Sequence, residues 1–325
     1  MSVAIITPVY NEEKNILKCY EFIKKIEWED LEWVIINDGS TDRSSEIINN
    51  LPKVKNIEIT LIEKENQGAF LARKSGVKAT KKDFITILDC DDFLSEDAIL
   101  ECMPKFKGKI DLVCHELIFK DSLNERSFIY SNNIWPIEGK VGFSQCIEKW
   151  GLHGFFIAKK SLLLKVYEEL EKDCYIKGNN INDDELFSKL CFYFARCIDK
   201  SQGKYFYIEN QASTTRRFHE QFYRIGNTPL NLLTFIRNNC IELEFQAKQY
   251  IFSTASGLLL RYVKWYFKLT NKCEWENMIN SLLTVINGHE MRRIIMKSEK
   301  KTKQLSKLIF IKLLLMVTRF KRVKQ

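Results

Sequence analysis

The sequence lacks the glycine and proline content of repetitive proteins and the cysteine spacing of zinc-binding folds. Its 325 residues include only 13 glycines and 5 prolines, which excludes a low-complexity or collagen-like chain. The ten cysteines form no C-x-x-C pair and no Cys/His spacing typical of a zinc site. No uninterrupted apolar run reaches the ~18 residues that a membrane-spanning helix needs. With 45% hydrophobic and 28% charged residues, the composition predicts an ordinary globular protein.

The start of the sequence lacks the features of an export signal. Residues 1–8 have no basic leader and no long apolar core, and Pro8 ends a short apolar run. Scattered cysteines without export suggest reduced thiols. We therefore expect a cytoplasmic protein, peripheral on the cytoplasmic face of the inner membrane if it binds lipid.

Acidic residues are scarce in the last part of the chain. Residues 291–325 contain twelve Lys and Arg residues and one acid, Glu299, whereas the rest of the chain is mildly acidic. Residues 307–317 are too short and too charged to span a bilayer but are typical of an amphipathic helix on anionic lipid. Packing on the protein or on another subunit explains them equally well. Nucleic acid is not expected as a partner, because the body is acidic and has no nucleic-acid-binding motif.

The first hundred residues alternate between strand and helix patterns. Apolar runs predict strands at residues 3–6, 33–36, 57–62 and 84–88, and Asn11 is expected to cap the helix after the first strand. This alternation predicts an α/β fold with a mostly parallel, doubly wound sheet. Ligands of such sheets bind beyond the carboxyl ends of the strands.

Carboxylates crowd the end of the fourth predicted strand. Asp89, Asp91 and Asp92 follow the apolar run within four residues. Neighbouring carboxylates repel one another, and a hard cation such as Mg²⁺ or Mn²⁺ compensates them while sharing its remaining sites with phosphates. A solvated turn with helix-capping aspartates is the alternative interpretation.

Two further polar segments follow predicted strands. Residues 37–42 (NDGSTD) place Asp38 where it can accept hydrogen bonds from a nucleobase or ribose, although a plain Asp-Gly turn is the alternative. Residues 66–76 (NQGAFLARKSG) run from a loop into a helix. There Gly68 allows close backbone approach, and Arg73 can reach a diphosphate or base with its planar guanidinium. A helix with a solvated basic face would also explain this segment.

Together these segments resemble the family 2 glycosyltransferases, which have the GT-A fold. Residues 1 to about 200 carry four family motifs in the right order and at roughly the right spacing, which is far more specific than any single motif. The motifs are P-x-Y-N at residues 8–11, D-D/N-G-S-x-D at 37–42, N-x-G-x-x-x-A-R-x-x-G at 66–76 and D-x-D at 89–91.

The resemblance implies a UDP-sugar donor and a divalent metal, Mn²⁺ or Mg²⁺. Asp38 would hold the uracil, and Arg73 would contact the base or the diphosphate. Asp89 would contact the ribose or the sugar, Asp91 would bind the metal that bridges the diphosphate, and Asp92 could share either role. The nucleoside pocket would be lined by Thr7, Pro8 and Tyr10.

The resemblance also implies a catalytic base. Family members often carry an E-D-x-x-F/L element at the start of a helix, and residues 182–187 (NDDELF) fit it. Asp184 is our choice of base, and Asp183 and Glu185 remain alternatives. Three acids at a helix N-terminus are also explained by the helix dipole alone. The implied reaction is an inverting displacement, in which the base takes the proton of the acceptor hydroxyl and the metal neutralises the UDP leaving group.

The same resemblance divides the chain into three parts. Residues 1–100 would form the nucleotide-sugar-binding half of a GT-A domain, residues 101–224 the acceptor-binding half, and residues 225–325 a helical region with the basic tail. We expect transfer of a hexose-type sugar to a glycan or lipid-linked glycan in the synthesis of a surface polysaccharide such as capsule or lipopolysaccharide.

Some candidates and alternatives are less specific. His153 could touch the acceptor sugar or be structural. Arg216, Arg217 and His219 could close over the diphosphate, His219 could complete the metal shell, or the three could form a solvated basic turn. A haloacid-dehalogenase-like phosphatase would explain D-x-D, but Phe93 stands where that family has Thr or Val. A non-catalytic membrane scaffold that binds a nucleotide sugar is the third hypothesis.

Overall fold

A computed structural model of the chain describes residues 1–121, 123–172, 181–208 and 218–297. The chain divides into two compact units, Met1–Gln211 and Ala212–Gln325. The basic segment from residue 298 onward and the pair Arg216 and Arg217 lie outside the described residues, so the expectations for them stay predictions.

Ten strands in the described part of the first unit form one mixed sheet. Its order is β3-β2-β1-β4-β9-β6-β10-β5, with β7 paired to β6 and β8 paired to β10. The strands are β1 Val3–Val9, β2 Leu31–Asp38, β3 Ile57–Lys64, β4 Phe84–Ile87, β5 Phe93–Leu94, β6 Ile110–Lys120, β7 Glu125–Ser127, β8 Ile137–Glu138, β9 Phe156–Lys159 and β10 Cys197–Ile208.

The first four strands run in parallel, as the sequence predicts. β1 pairs in parallel with both β2 and β4, and β2 pairs in parallel with β3. Their carboxyl ends therefore meet on one side of the sheet, which we call the carboxyl edge: the ends of β1 to β4 and the loops that follow them. Beyond β4 the sheet is mixed, because β9 runs antiparallel to both β4 and β6. The expected α/β fold is confirmed.

Helices of the first unit pack on the sheet through apolar faces. In α1, Ile16, Cys19, Tyr20 and Ile23 are buried, at the spacing of one helical face. A Cβ on Gly76 of α3 would lie 2.7 Å from the side chains of Ile6 and Ile36, so only glycine lets this helix approach the sheet. The helices are α1 Ile16–Ile23, α2 Ser44–Asn49, α3 Ala69–Ala79, α4 Ala98–Cys102, α5 Gly139–Gln145, α6 Lys160–Lys172 and α7 Asp183–Phe194.

The described part of the second unit is helical. Its core contains the buried aromatic side chains of Phe222, Tyr262, Trp265 and Trp275, and the indole N–H of Trp275 donates to the carbonyl of Glu220 at 2.9 Å. The helices are α8 Asn227–Asn239, α9 Glu244–Trp265, α10 Lys272–Thr284 and α11 Gly288–Lys297. Within the described ranges, no helix combines the length and apolarity needed to cross a membrane.

Candidate functional site

The loops that follow β1 and β2 are tied together by side-chain acceptors. Asn11 has a positive φ of 57°, and its Oδ1 accepts hydrogen bonds from the backbone N–H groups of Thr41 at 2.8 Å and Asp42 at 3.3 Å. The hydroxyl of Ser44 accepts from the backbone N–H of Glu12 at 2.8 Å. The expectation that Asn11 caps a helix is wrong, because α1 begins only at Ile16 and the Asn11 side chain is used across the two loops.

Asp38 lies buried at the end of β2 and holds the loop that leads into α3. Its carboxylate accepts from the Lys64 ammonium at 2.8 Å and from the backbone N–H of Gly68 at 2.7 Å. Gly39 has a φ of 72°, and a Cβ there would come within 2.8 Å of the backbone nitrogen of Asn66. Both features draw the β2 and β3 loops together, which a simple Asp-Gly turn does not predict.

The residues expected to line a nucleoside pocket are exposed to different degrees. Thr7 is fully buried, and its hydroxyl accepts from the indole N–H of Trp33 at 3.0 Å. Pro8 is half-buried within β1, while Tyr10 follows the strand with half of its surface exposed. Of the three, Tyr10 therefore has the most surface available to a ligand, and Thr7 has none.

Arg73 and Asp89 form an ion pair across the carboxyl edge. The Arg73 guanidinium on α3 donates to the carboxylate of Asp89, after β4, at 2.7 Å. Burial lowers the pKa of Arg73, but the nearby carboxylates of Asp89 and Asp184 raise it more, so its net pKa is raised and the guanidinium is always charged. The Nε–H of Arg73 is buried and has no acceptor among the described residues, so it is available to donate to a bound ligand.

Asp184 joins this pair from the first turn of α7. Part of the Asp184 surface is exposed to solvent, although protein surrounds its carboxylate. Its pKa is raised, first by loss of hydration and then by the negative charges of Asp89 and Glu185, while Arg73 opposes the rise. A carboxylate with a raised pKa holds a proton more readily, which suits a general base.

The two acids beside Asp184 lie in other surroundings. Asp183 is buried. Glu185 accepts from the ammonium of Lys189 at 2.6 Å and from the side-chain amide of Asn182. Lys189 is itself buried, with 2% of its side chain exposed. Asp184 is thus the exposed acid of the three, and the i,i+4 spacing of Glu185 and Lys189 is the sequence signal that could have identified their pairing.

Asp91 and Asp92 are adjacent in sequence but differ in burial and in hydrogen bonding. Asp91 is exposed, and its pKa is raised by partial loss of hydration and by Asp89. Asp92 is buried and accepts from the hydroxyl of Tyr205 and the backbone N–H of Ile208, both at 2.8 Å. Burial, followed by the charge of Asp89, raises the pKa of Asp92 to about 8. Asp92 therefore ties this loop to β10, and Asp91 is the one that faces solvent.

Glu12 is an acid near Asp91 that the sequence interpretation missed. Burial raises its pKa first, and the charges of Asp91, Asp89 and Asp42 raise it further, against a hydrogen bond from Asn15. These acids fit a hard cation by type. No group of three or more His, Cys, Asp or Glu side chains in the described ranges is arranged to hold a metal alone. The donor set fits an ion that takes most of its ligands from phosphate and water, as Mg²⁺ does.

The less specific candidates have local hydrogen-bond partners of their own. His153 is buried, and its Nε2 lies 2.6 Å from the Tyr130 hydroxyl and 3.0 Å from the carbonyl of His115. Burial, with the neighbouring His115, lowers the pKa of His153 to about 3, so it is a neutral group within the core. His219 belongs to the second unit, where its Nδ1 accepts from the backbone N–H of Gln221 at 3.2 Å.

Sequence comparison with known proteins identifies the family of this chain. Residues 4–170 match the model of Glycosyl transferase family 2. EpsH of Bacillus subtilis is 32% identical over 231 residues, which are 69% of this chain and 66% of EpsH. Chondroitin synthase of Escherichia coli is 28% identical over 201 residues, which are 58% of this chain and 28% of that protein. The chain thus spans less than two thirds of the length of these relatives.

Superposition on solved structures identifies the fold. The crystal structure of Staphylococcus aureus TarS 1–349 in complex with UDP-GlcNAc superposes with a TM-score of 0.65 at 16% identity, over 90% of this chain and 83% of that one. The mannosyltransferase PcManGT from Pyrobaculum calidifontis, in complex with GDP-Man and Mn²⁺, gives 0.50 at 15% identity, over 86% and 84%. These likenesses confirm the expected GT-A fold and favour it over the phosphatase alternative. With the family model covering half of the sequence, the chain belongs to glycosyl transferase family 2.

Proposed function

We propose that the chain transfers a sugar from a UDP-sugar to a hydroxyl group of a glycan or lipid-linked glycan, with the carboxyl edge as its donor site. The observation that carries this proposal is the convergence of Arg73, Asp89 and Asp184, which come from three separate segments. A buried guanidinium suits the diphosphate of a donor, and a carboxylate beside it suits removal of the proton from an acceptor hydroxyl.

On the donor side, Asp91 would hold the metal and Arg73 would contact the diphosphate. A divalent ion bound there would neutralise the charge that gathers on the UDP leaving group. Tyr10, Pro8 and Asp38 would border the nucleoside, with Thr7 behind them. The Asp38 carboxylate already accepts hydrogen bonds from Lys64 and from the loop before α3. It would therefore hold the loops around the base in place as well as contact the uracil. Asp89 would orient Arg73 and reach the ribose or sugar.

On the acceptor side, Asp184 would act as the general base. Its carboxylate would accept the proton of the acceptor hydroxyl as that oxygen attacks the anomeric carbon, giving inversion in a single displacement. Glu185 is less suited to this role, because Lys189 and Asn182 already occupy its carboxylate. Asp92 is less suited to metal binding for the same reason, since Tyr205 and Ile208 already donate to it.

The names of the relatives support a role in polysaccharide synthesis. Chondroitin synthases and a hyaluronan synthase are among the proteins with similar sequences. Complexes of similarly folded proteins with UDP-GlcNAc and with GDP-Man and Mn²⁺ support a nucleotide-sugar donor and a divalent ion. We propose surface-polysaccharide assembly, in the cytoplasm or at the inner face of the membrane, as the setting of the reaction.

The proposal is tested by measuring release of UDP from a panel of UDP-sugars with Mn²⁺, Mg²⁺ or EDTA. Wild-type protein is compared with Asp91→Ala and Asp184→Ala, and Asp83→Asn is the matched control. Asp83 is an exposed acid that immediately precedes β4, at the strand end opposite to Asp89. Metal-dependent release from one donor that is lost in Asp91→Ala and kept in Asp83→Asn supports the proposal. If no UDP-sugar is bound or hydrolysed, even with lipid extract as a source of acceptor, the UDP assignment is wrong. Donor binding without turnover would instead support the scaffold.

A further inference from the structure

One face of α9 carries large apolar side chains that no described part of the chain covers. Leu260, Val263 and Phe267 follow one another at helical spacing, with 51%, 41% and 97% of their surface exposed. Phe267 stands in the turn that directly follows the helix. The opposite side of α9 packs into the core of the second unit through Leu258, Leu259, Tyr262 and Trp265. Leu260, Val263 and Phe267 therefore do not contribute to the packing of α9 in the core of the second unit.

The same face is basic. Lys264 and Lys268 are exposed beside the apolar residues. Residues 245–273 contain no Asp or Glu. Lysines interleaved with aromatic and aliphatic side chains, in a stretch of sequence without acids, are the composition of segments that lie at the surface of an anionic membrane. The Glu220 carboxylate beyond the end of this stretch is engaged by the backbone N–H groups of Thr270 and Asn271.

We propose that Leu260, Val263, Lys264, Phe267 and Lys268, which we call the basic apolar face, dock the second unit onto an anionic phospholipid surface. The apolar side chains would enter the boundary between head groups and acyl chains. The two ammonium groups would lie at the level of the lipid phosphates, where each contributes to binding in a salt-dependent way. This proposal is independent of the proposed transfer reaction.

Charge separates this partner from two other occupants. A second copy of the chain would bring the same lysines against one another. Three apolar side chains also cover far less than the about 800 Å² per partner of a stable protein interface. The segment 298–325 contains nine Lys and Arg residues and one acid, so it too is repelled by this face. Anionic lipid is the occupant whose charge is complementary.

The test is co-sedimentation of the full chain with vesicles of phosphatidylcholine alone or mixed with phosphatidylglycerol. The variants are Phe267→Ser and the pair Lys264→Gln with Lys268→Gln. The matched control is Leu17→Ser with Lys18→Gln on α1, a residue pair that is also exposed. We expect the wild type to prefer the anionic vesicles. Removing each lysine should weaken binding about fivefold, the equivalent of one charge near an anionic surface. Phe267→Ser should weaken it severalfold on both kinds of vesicle, and the control should bind as the wild type does.

Two results would overturn the proposal. One is equal binding of wild type and both variants to anionic vesicles, which would place lipid binding on another basic segment such as residues 298–325. The other is an absence of binding by the wild type, with light scattering showing a dimer that Phe267→Ser dissociates, because the face would then bind a second copy. Unchanged melting temperatures of the variants verify that the exposed substitutions leave the fold intact.

Discussion

The carboxyl edge and the start of α7 both hold carboxylates close together, but with different partners. At the carboxyl edge, Asp38 and Asp92 are buried and accept hydrogen bonds from the backbone of other segments. At the start of α7, charged side chains lie beside the carboxylates, Arg73 near Asp184 and Lys189 against Glu185, and the backbone donor to Asp184 is its own neighbour Glu185. The first arrangement fixes the shape of loops, because a carboxylate that accepts from backbone N–H groups fastens the chain.

This difference suggests a division of labour. Carboxylates fastened to backbone should contribute mainly to stability and to the shape of the donor pocket. A carboxylate whose neighbours are mainly charged side chains has a pKa that responds to those charges, which suits a group that must gain and lose a proton. Substitutions in the two regions should therefore affect different measured quantities.

The largest effect is expected for Asp184→Asn. The amide cannot accept the acceptor proton, so the rate of sugar transfer should fall about 10³-fold, within the range for loss of a general base. Single-turnover transfer to a defined acceptor measures this rate. UDP should bind at least as tightly as in the wild type, because the substitution removes a negative charge beside Arg73, the group assigned to the diphosphate. A comparable loss in Glu185→Gln, with Asp184→Asn still active, would move the base to Glu185 and remove the distinction between the two acids.

A smaller effect, on stability, is expected for Asp38→Asn. The neutral amide leaves the Lys64 ammonium without its carboxylate and offers one acceptor oxygen where two are used. The free energy of unfolding should fall by about 2 kcal/mol, the usual cost of disturbing a buried charged hydrogen bond. Denaturant titration measures it, with the exposed Asp83→Asn as control. An unchanged midpoint for Asp38→Asn would show that the loop before α3 is held in another way.

The smallest effect is a shift in the pH dependence of transfer for Glu185→Gln. Transfer needs ionised Asp184, so the rate should rise with pH through the pKa of Asp184. Besides loss of hydration, the main charges that shift the pKa of Asp184 are Arg73, which lowers it, and Asp89 and Glu185, which raise it. Removing the charge of Glu185 should lower that pKa and move the rising limb to lower pH. Lys189→Met leaves Glu185 uncompensated and should move the limb to higher pH. Shifts in the same direction for both variants would refute this electrostatic account.

Most of the fold and part of the site were predictable from the sequence. The strands β1 to β4 and the polar residues at their ends follow from short apolar runs and the turn residues after them, because both signals are local. Gly76 was recognised as part of a motif, while its physical reason, the 2.7 Å approach to Ile6 and Ile36, depends on how α3 packs. The antiparallel β9 and the partners of Asn11 and Asp92 were not predictable, because they depend on contacts between segments far apart in sequence.

The separate roles of Asp91 and Asp184 are tested most directly by calorimetric titration of UDP into wild type, Asp91→Asn and Asp184→Asn, each with Mn²⁺ and with EDTA. Asp184→Asn should bind UDP at least as tightly as the wild type, and both should bind it more tightly with Mn²⁺. Asp91→Asn should bind with the same weak affinity under both conditions, since it lacks the carboxylate assigned to the metal. Retained Mn²⁺ enhancement in Asp91→Asn, or loss of UDP binding in Asp184→Asn, would contradict the assignment of donor and acceptor functions to these two regions.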